Sequence, residues 1–169
     1  SFILKSTAVM KKVVEDLKLN TSYWQQQDFR KIELYNNSPI LAVFEEIGKQ
    51  RSCSFSITPR GEQNFLLAYT TSQKKTTTLE GTYGQSIALP FATVSIHPTS
   101  LMSEEWDGKP IIINHLTVLE TAHGLLKDFS VTRPDVKESS LLEMTLTANN
   151  PQKAADVLNQ LIAVYNQVS

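Results

Sequence analysis

The spacing of apolar positions divides the chain into an opening helix, a strand-rich middle and a closing alternation of strands and helices. Val9, Met10, Val13, Val14 and Leu17 recur at helical spacing after Ser6, which predicts a helix over about 6–18 with Ser6 as its N-cap. Asn20-Thr-Ser reads as a polar exit. Arg30 to Tyr35 alternates polar and apolar residues, the pattern of a half-buried strand. Asn36-Asn-Ser-Pro39 is turn chemistry, and the continuous run Ile40-Leu-Ala-Val-Phe44 predicts a strand buried on both faces. Cys53 to Thr58 alternates, Pro59-Arg-Gly61 turns and Phe65 to Tyr69 returns, which predicts a hairpin. Thr70 to Thr78 is polar and reads as an exposed loop or edge. Glu80 to Gly84 and Leu89 to Phe91 read as turns. Phe91 to His97 predicts a strand ended by Pro98, and Ser103 to Pro110 a polar loop anchored by Trp106.

The last third is more regular. Ile111 to His115 predicts a short strand, and Leu116, Leu119, Ala122 and Leu126 mark one face of a helix over 116–127. Phe129 to Arg133 is a strand ended by Pro134, Asp135 to Ser139 a turn, and Leu141 to Thr147 a strand. Asn150 then caps a final helix over 150–169, with Pro151 at its first position, where a missing N–H costs nothing. Ala154, Leu158, Leu161, Tyr165 and Val168 form its apolar stripe, and no Gly or Pro follows to end it. The helix is therefore expected to continue beyond Ser169 in a longer protein. This order of elements defines an α+β fold, with a mixed sheet packed by the three helices, in one domain spanning 1–169.

Composition narrows the function. The chain has 169 residues, 41% of them apolar, and a net charge of −1, so no overall field recruits nucleic acid or an anionic membrane. Its one cysteine, Cys53, excludes an internal disulfide and a cysteine-built metal site. No apolar run approaches the roughly 20 residues of a membrane-spanning helix, and no signal peptide is visible. The chain begins at Ser1-Phe-Ile-Leu and reads as a piece of a longer protein.

The search for chemistry finds little. Nucleotide-binding glycine loops, H-E-x-x-H and G-x-S-x-G are absent from the sequence. His97, His115 and His123 do not share one helix face as paired metal ligands would, so no metal or cofactor is expected. Cys53 with a histidine is the candidate nucleophile pair, although its place in an alternating strand with Phe55 and Ile57 favours a small packed residue. Glu45-Glu46 and Glu104-Glu105 are adjacent carboxylates whose side chains diverge, so neither pair forms an acid–base dyad. Tyr23, Trp24 and Trp106 could stack on sugars, but an anchoring role is the default. No catalytic residue is expected.

Two segments carry a resemblance. Leu4 to Leu19, through Ser6, Val9, Val13, Val14, Leu17 and Leu19, resembles the first helix of the chain-length-determinant family of polysaccharide co-polymerases. Leu141 to Asn166, through Pro151, Ala154, Asn159 and Tyr165, resembles that family's closing segment, and Arg30 to Pro39 is similar to its tyrosine-autokinase branch of Bacteroides type. The resemblance implies a non-catalytic base domain on the periplasmic face of the bacterial inner membrane. It implies flanking transmembrane helices in a parent protein, and some family members add a cytoplasmic tyrosine kinase. It further implies a homo-oligomer acting with a polysaccharide and its polymerase and export machinery, in control of the chain length and export of capsular, exopolysaccharide or O-antigen polymers. Polymer contact is expected in the strand-rich middle, including Tyr83 and Trp106. The competing readings are a carbohydrate-binding module, which predicts glycan affinity and two or more exposed aromatics on one face, and a small hydrolase using Cys53 or a carboxylate.

Overall fold

The computed structural model describes residues 5–45, 51–132 and 143–168. In chain order these form α1 (Thr7–Leu17), β1 (Thr21–Gln27), β2 (Arg30–Glu33), β3 (Ile40–Glu45), β4 (Cys53–Arg60), β5 (Asn64–Thr70) and β6 (Thr76–Thr82). They continue with β7 (Ser86–Ala88), β8 (Thr93–Pro98), β9 (Ile111–His115), α2 (Val118–Lys127), β10 (Phe129–Thr132), β11 (Glu143–Leu146) and α3 (Pro151–Val168). The fold class is α+β. The chain divides into two compact units: a helical unit from its two ends, 1–20 and 117–169, and a β unit spanning Thr21–Leu116. Among the described residues no helix is long and apolar enough to cross a membrane.

In the helical unit α1 packs against both α2 and α3. Each helix starts on a side-chain cap: Ser6 Oγ accepts from Val9 N–H at 3.1 Å, Thr117 Oγ1 from Glu120 N–H at 3.0 Å, and Asn150 Oδ1 from Lys153 N–H at 3.1 Å. Val9, Met10, Val13 and Val14 of α1 are buried, as are Val157, Leu161 and Val164 of α3. Gln160 Nε2 donates to Asp16 at 2.9 Å, joining α3 to α1. Lys12 bonds the same carboxylate at 2.8 Å and holds it below the usual range for aspartate. β10 and β11 pair antiparallel, Phe129 opposite Leu146.

The β unit holds a six-stranded sheet ordered β2-β1-β9-β4-β5-β6 and a three-stranded sheet ordered β3-β8-β7. All of its described ladders are antiparallel. Hairpins join β1 to β2, β4 to β5 and β5 to β6, which fixes that sense locally, and β9 enters between β1 and β4. One core serves both sheets: Ile57, Phe65, Leu67, Ile111 and Ile113 from the larger meet Ile40, Val94 and Ile96 from the smaller. Each such side chain contributes about 1.5–3 kcal/mol by leaving water. Tyr23 ties the sheets by a polar link. Its buried hydroxyl accepts from the Ala42 N–H on edge strand β3 at 2.9 Å, a donor that β8 leaves unpaired.

The sequence reading differs from the structure at identifiable places. β3 is buried on one face only: Leu41 and Val43 are 45% and 44% exposed while Ile40 and Ala42 point inward. A run of apolar residues thus conceals an ordinary alternating strand. β1, of which only Thr21 and Ser22 fall in the predicted polar exit, is a strand because β9 supplies its partner; polar Thr21 and Gln25 on the same face as buried Tyr23 mask the period. Thr76–Thr82 is an edge strand, and Ser86–Ala88 a further strand not anticipated. In α2 the inward residue is Ala122, whereas Leu116 before the helix and Leu119 within it are exposed. In α3 the buried line is Val157, Leu161 and Val164, flanked by half-buried Ala154, Leu158 and Tyr165, so the stripe is rotated by about one residue. Glu46, Arg133, Pro134, the turn at 135–139, Leu141, Leu142 and Ser169 lie outside the described residues, as does the side chain of Val168.

Two glycines make opposite demands. Gly81 lies opposite Phe65 in the β5–β6 ladder, and an added Cβ would stand 2.4 Å from the Phe65 ring and 2.9 Å from Ile87. The aromatic ring covers the glycine, a known device for stabilising a strand that lacks a side chain. Gly124, inside α2, has nothing within 4 Å of that position. Gly81→Ala is expected to lower stability by about 1–3 kcal/mol through overpacking. Gly124→Ala should raise it by about 1 kcal/mol through helix propensity. Urea unfolding of both variants checks the pair, and equal effects would contradict this packing. Tyr23→Phe, which strands the Ala42 N–H, should cost about 1–3 kcal/mol in the same measurement.

Candidate functional site

Cys53 and His115 are the first residues to test, because the fold brings them together. Cys53 opens β4, His115 closes β9, and the two are direct partners across that ladder. A thiol nucleophile would need the imidazole to take its proton and stabilise a thiolate. The surroundings oppose this. Burial raises the Cys53 thiol to about 11, and burial lowers the His115 imidazole from its ordinary value. Both groups are held neutral near pH 7. His115 is instead engaged elsewhere: its Nδ1 lies 2.8 Å from Thr21 Oγ1, and its ring stacks on Phe44 with centroids 3.8 Å apart at 17°. It serves as a packed wedge between β9, β1 and β3.

The other candidates lie apart. His97 sits on β8 with Nε2 2.9 Å from Ser95 Oγ, and His123 is exposed on α2. Among the described residues no group of three His, Cys, Asp or Glu side chains could hold a metal ion. Glu45 accepts from Ser86 Oγ at 2.7 Å, and Glu104 and Glu105 occupy an exposed single helical turn. Trp106, in that same turn, packs against the core as an anchor, and the adjacent Asp107 accepts from Gly61 N–H at 3.0 Å to hold the β4–β5 turn. Tyr83 also packs on the core, 5.0 Å from Phe65 ring to ring. Its buried hydroxyl finds no partner among the described residues, and burial raises it to about 12. Tyr23 lies in the core, while Trp24 is half-buried and donates to Ser22 at 2.8 Å.

A concave feature of the β unit is a cleft of about 580 Å³ beside Cys53. Register explains it. β4 pairs with β9 from Cys53 onward, but with β5 only from Ser56, opposite Ala68. Beyond that point β5 follows β6, with Tyr69 opposite Thr77 and Thr70 opposite Thr76. The strands part, and the gap is walled by Phe55, Tyr69 and Phe91 and rimmed by Ser56, Thr70 and Thr76. The Tyr69 and Phe91 rings meet edge to face at 5.4 Å, and Phe55 lies 6.2 Å from Phe91. The sequence reading places Tyr69 and Phe91 in or beside strands but gives them no role. The only local signal is the serine and threonine content on either side of them, and the divergence of the strands is visible only in the register.

No family model matches the chain, and no curated protein matches it.

The neutral histidine has a measurable consequence. The unfolded chain binds a proton at His115 near pH 6.5, whereas the folded chain binds it only at lower pH. Stability is therefore complete above that value and falls as the pH drops through the interval between the two. Urea midpoints measured over this range should decline toward acid, and His115→Gln should flatten that part of the curve. An unchanged slope in the variant would assign the decline to other groups.

Proposed function

We propose that this chain is the non-catalytic base domain of a polysaccharide co-polymerase, held at the periplasmic face of the inner membrane by transmembrane helices of a longer parent. It acts by assembly: copies meet laterally, and the resulting oligomer governs how far the polymer is extended and exported by its partner machinery. The observation that carries the reading is the meeting of the two resembling segments. The stretch through Val9, Val13 and Val14 and the stretch through Pro151, Ala154 and Tyr165 lie far apart in sequence, yet form α1 and α3 of one unit. They pack together and share the Asp16–Gln160 hydrogen bond. A pattern kept at both ends of a chain is coherent when both ends build the same unit. Burial of Cys53 and His115 in neutral form favours a scaffold over the thiol hydrolase.

The test uses the full-length parent in its polymer-producing host. Ile162 is 43% exposed on α3, one step from the buried line, so Ile162→Arg leaves the domain's own packing intact. The variant is expected to broaden the polymer length distribution on gels and to reduce the mass of the detergent-extracted assembly by light scattering. Removal of residues 1–169 should abolish length control. A parent that keeps both its assembly and its polymer length after that removal would refute the reading.

A further inference from the structure

We propose that the cleft where β4 and β5 part binds a neutral saccharide segment. This goes beyond the scaffold reading and stands on the cleft's lining alone. At about 580 Å³ the cleft falls within the range of about 300–1,000 Å³ usual for small-molecule sites. Its shape is set by backbone register rather than by one side-chain rotamer, since Cys53, Ser54 and Phe55 pair with β9 on one edge and the ladder to β5 does not reach them.

The chemistry of the lining selects the ligand. Among the described residues no charged side chain lines the cleft. An anionic ligand would lose its hydration against Tyr69 and Phe91 with no cation to replace it, and a cationic one would find no carboxylate. A purely apolar ligand would leave the rim hydroxyls of Ser56, Thr70 and Thr76 unused. A pyranose offers a C–H face for an aromatic ring and equatorial hydroxyls for such a rim. The half-buried Tyr69 and Phe91 supply rings that are apolar on the face, with the tyrosine polar at its tip. An extended peptide is the competing occupant, because β4 presents an edge with no ladder partner among the described residues. That edge covers only Cys53 to Phe55, shorter than the ordinary strand of about five to six residues.

Cys53 lines the cleft and is the only thiol in the chain, so it reports occupancy. The experiment follows alkylation of the 169-residue chain by N-ethylmaleimide at mildly alkaline pH. Maltopentaose, cellopentaose and chitopentaose are the neutral probes, a galacturonate pentamer the anionic one, and an uncharged capped pentapeptide the third class. At least one neutral saccharide should slow the reaction several-fold, saturating in the millimolar range, while the galacturonate pentamer does not. Thr76→Arg, at an exposed rim position, should remove the protection with the urea midpoint unchanged, and Tyr69→Ala should remove it as well. The proposal is overturned if no neutral saccharide protects Cys53, if protection survives Thr76→Arg, or if the pentapeptide protects better than the sugars.

Discussion

Strand β9 is the constraint on which the β unit depends. It pairs with β1 on one side and β4 on the other, and its Ile111 and Ile113 are completely buried. Neither partner is close to it in sequence, so the central ladders form only after a long stretch of chain has been brought back. Such a topology makes folding of the unit slow compared with helical packing of similar size. It also means that the six-stranded sheet is not a row of hairpins but two hairpin systems joined by one inserted strand. β9 further holds the first residues of β4 in extended form where β5 has already turned away. The cleft exists because that wall is supported from behind.

Burial sets the chemistry at the same place. His115 and Cys53 are register partners across β9 and β4. Here the nearest partners are Phe44, Thr21 and Phe55, which are apolar or neutral. Each group keeps the form that carries no charge, and the surface left between the strands offers aromatic faces and hydroxyls. Desolvation holds the candidate catalytic pair in neutral, packed form.

Much of the fold was legible in local signals. Ser6, Asn150 and Pro151 mark helix starts because caps act within three residues. Trp106 reads as an anchor because a large aromatic in a polar loop has few other uses. Other features depended on partners distant in sequence. Leu41 and Val43 suggested two-sided burial, and only the layer arrangement reveals that one face of β3 is open. The stripe of α3 was read one residue off because Ala154, Leu158 and Tyr165 flank the buried line closely enough to satisfy the same period. Cys53 was singled out by its chemistry, yet the property that matters, its place in a cleft with Tyr69 and Phe91, follows from where one ladder stops and another continues. No spacing within a single strand encodes that.

The discontinuity of the helical unit has a further implication. The β unit begins at Thr21 and ends beside His115, and those two residues are direct partners on neighbouring strands. The chain therefore leaves the β unit almost where it entered. For the helices, the whole intervening segment amounts to a connection with its ends already joined. A module attached in this manner can be lengthened, exchanged or lost without rethreading its host. It is the arrangement expected where one framework carries an inserted element with its own core.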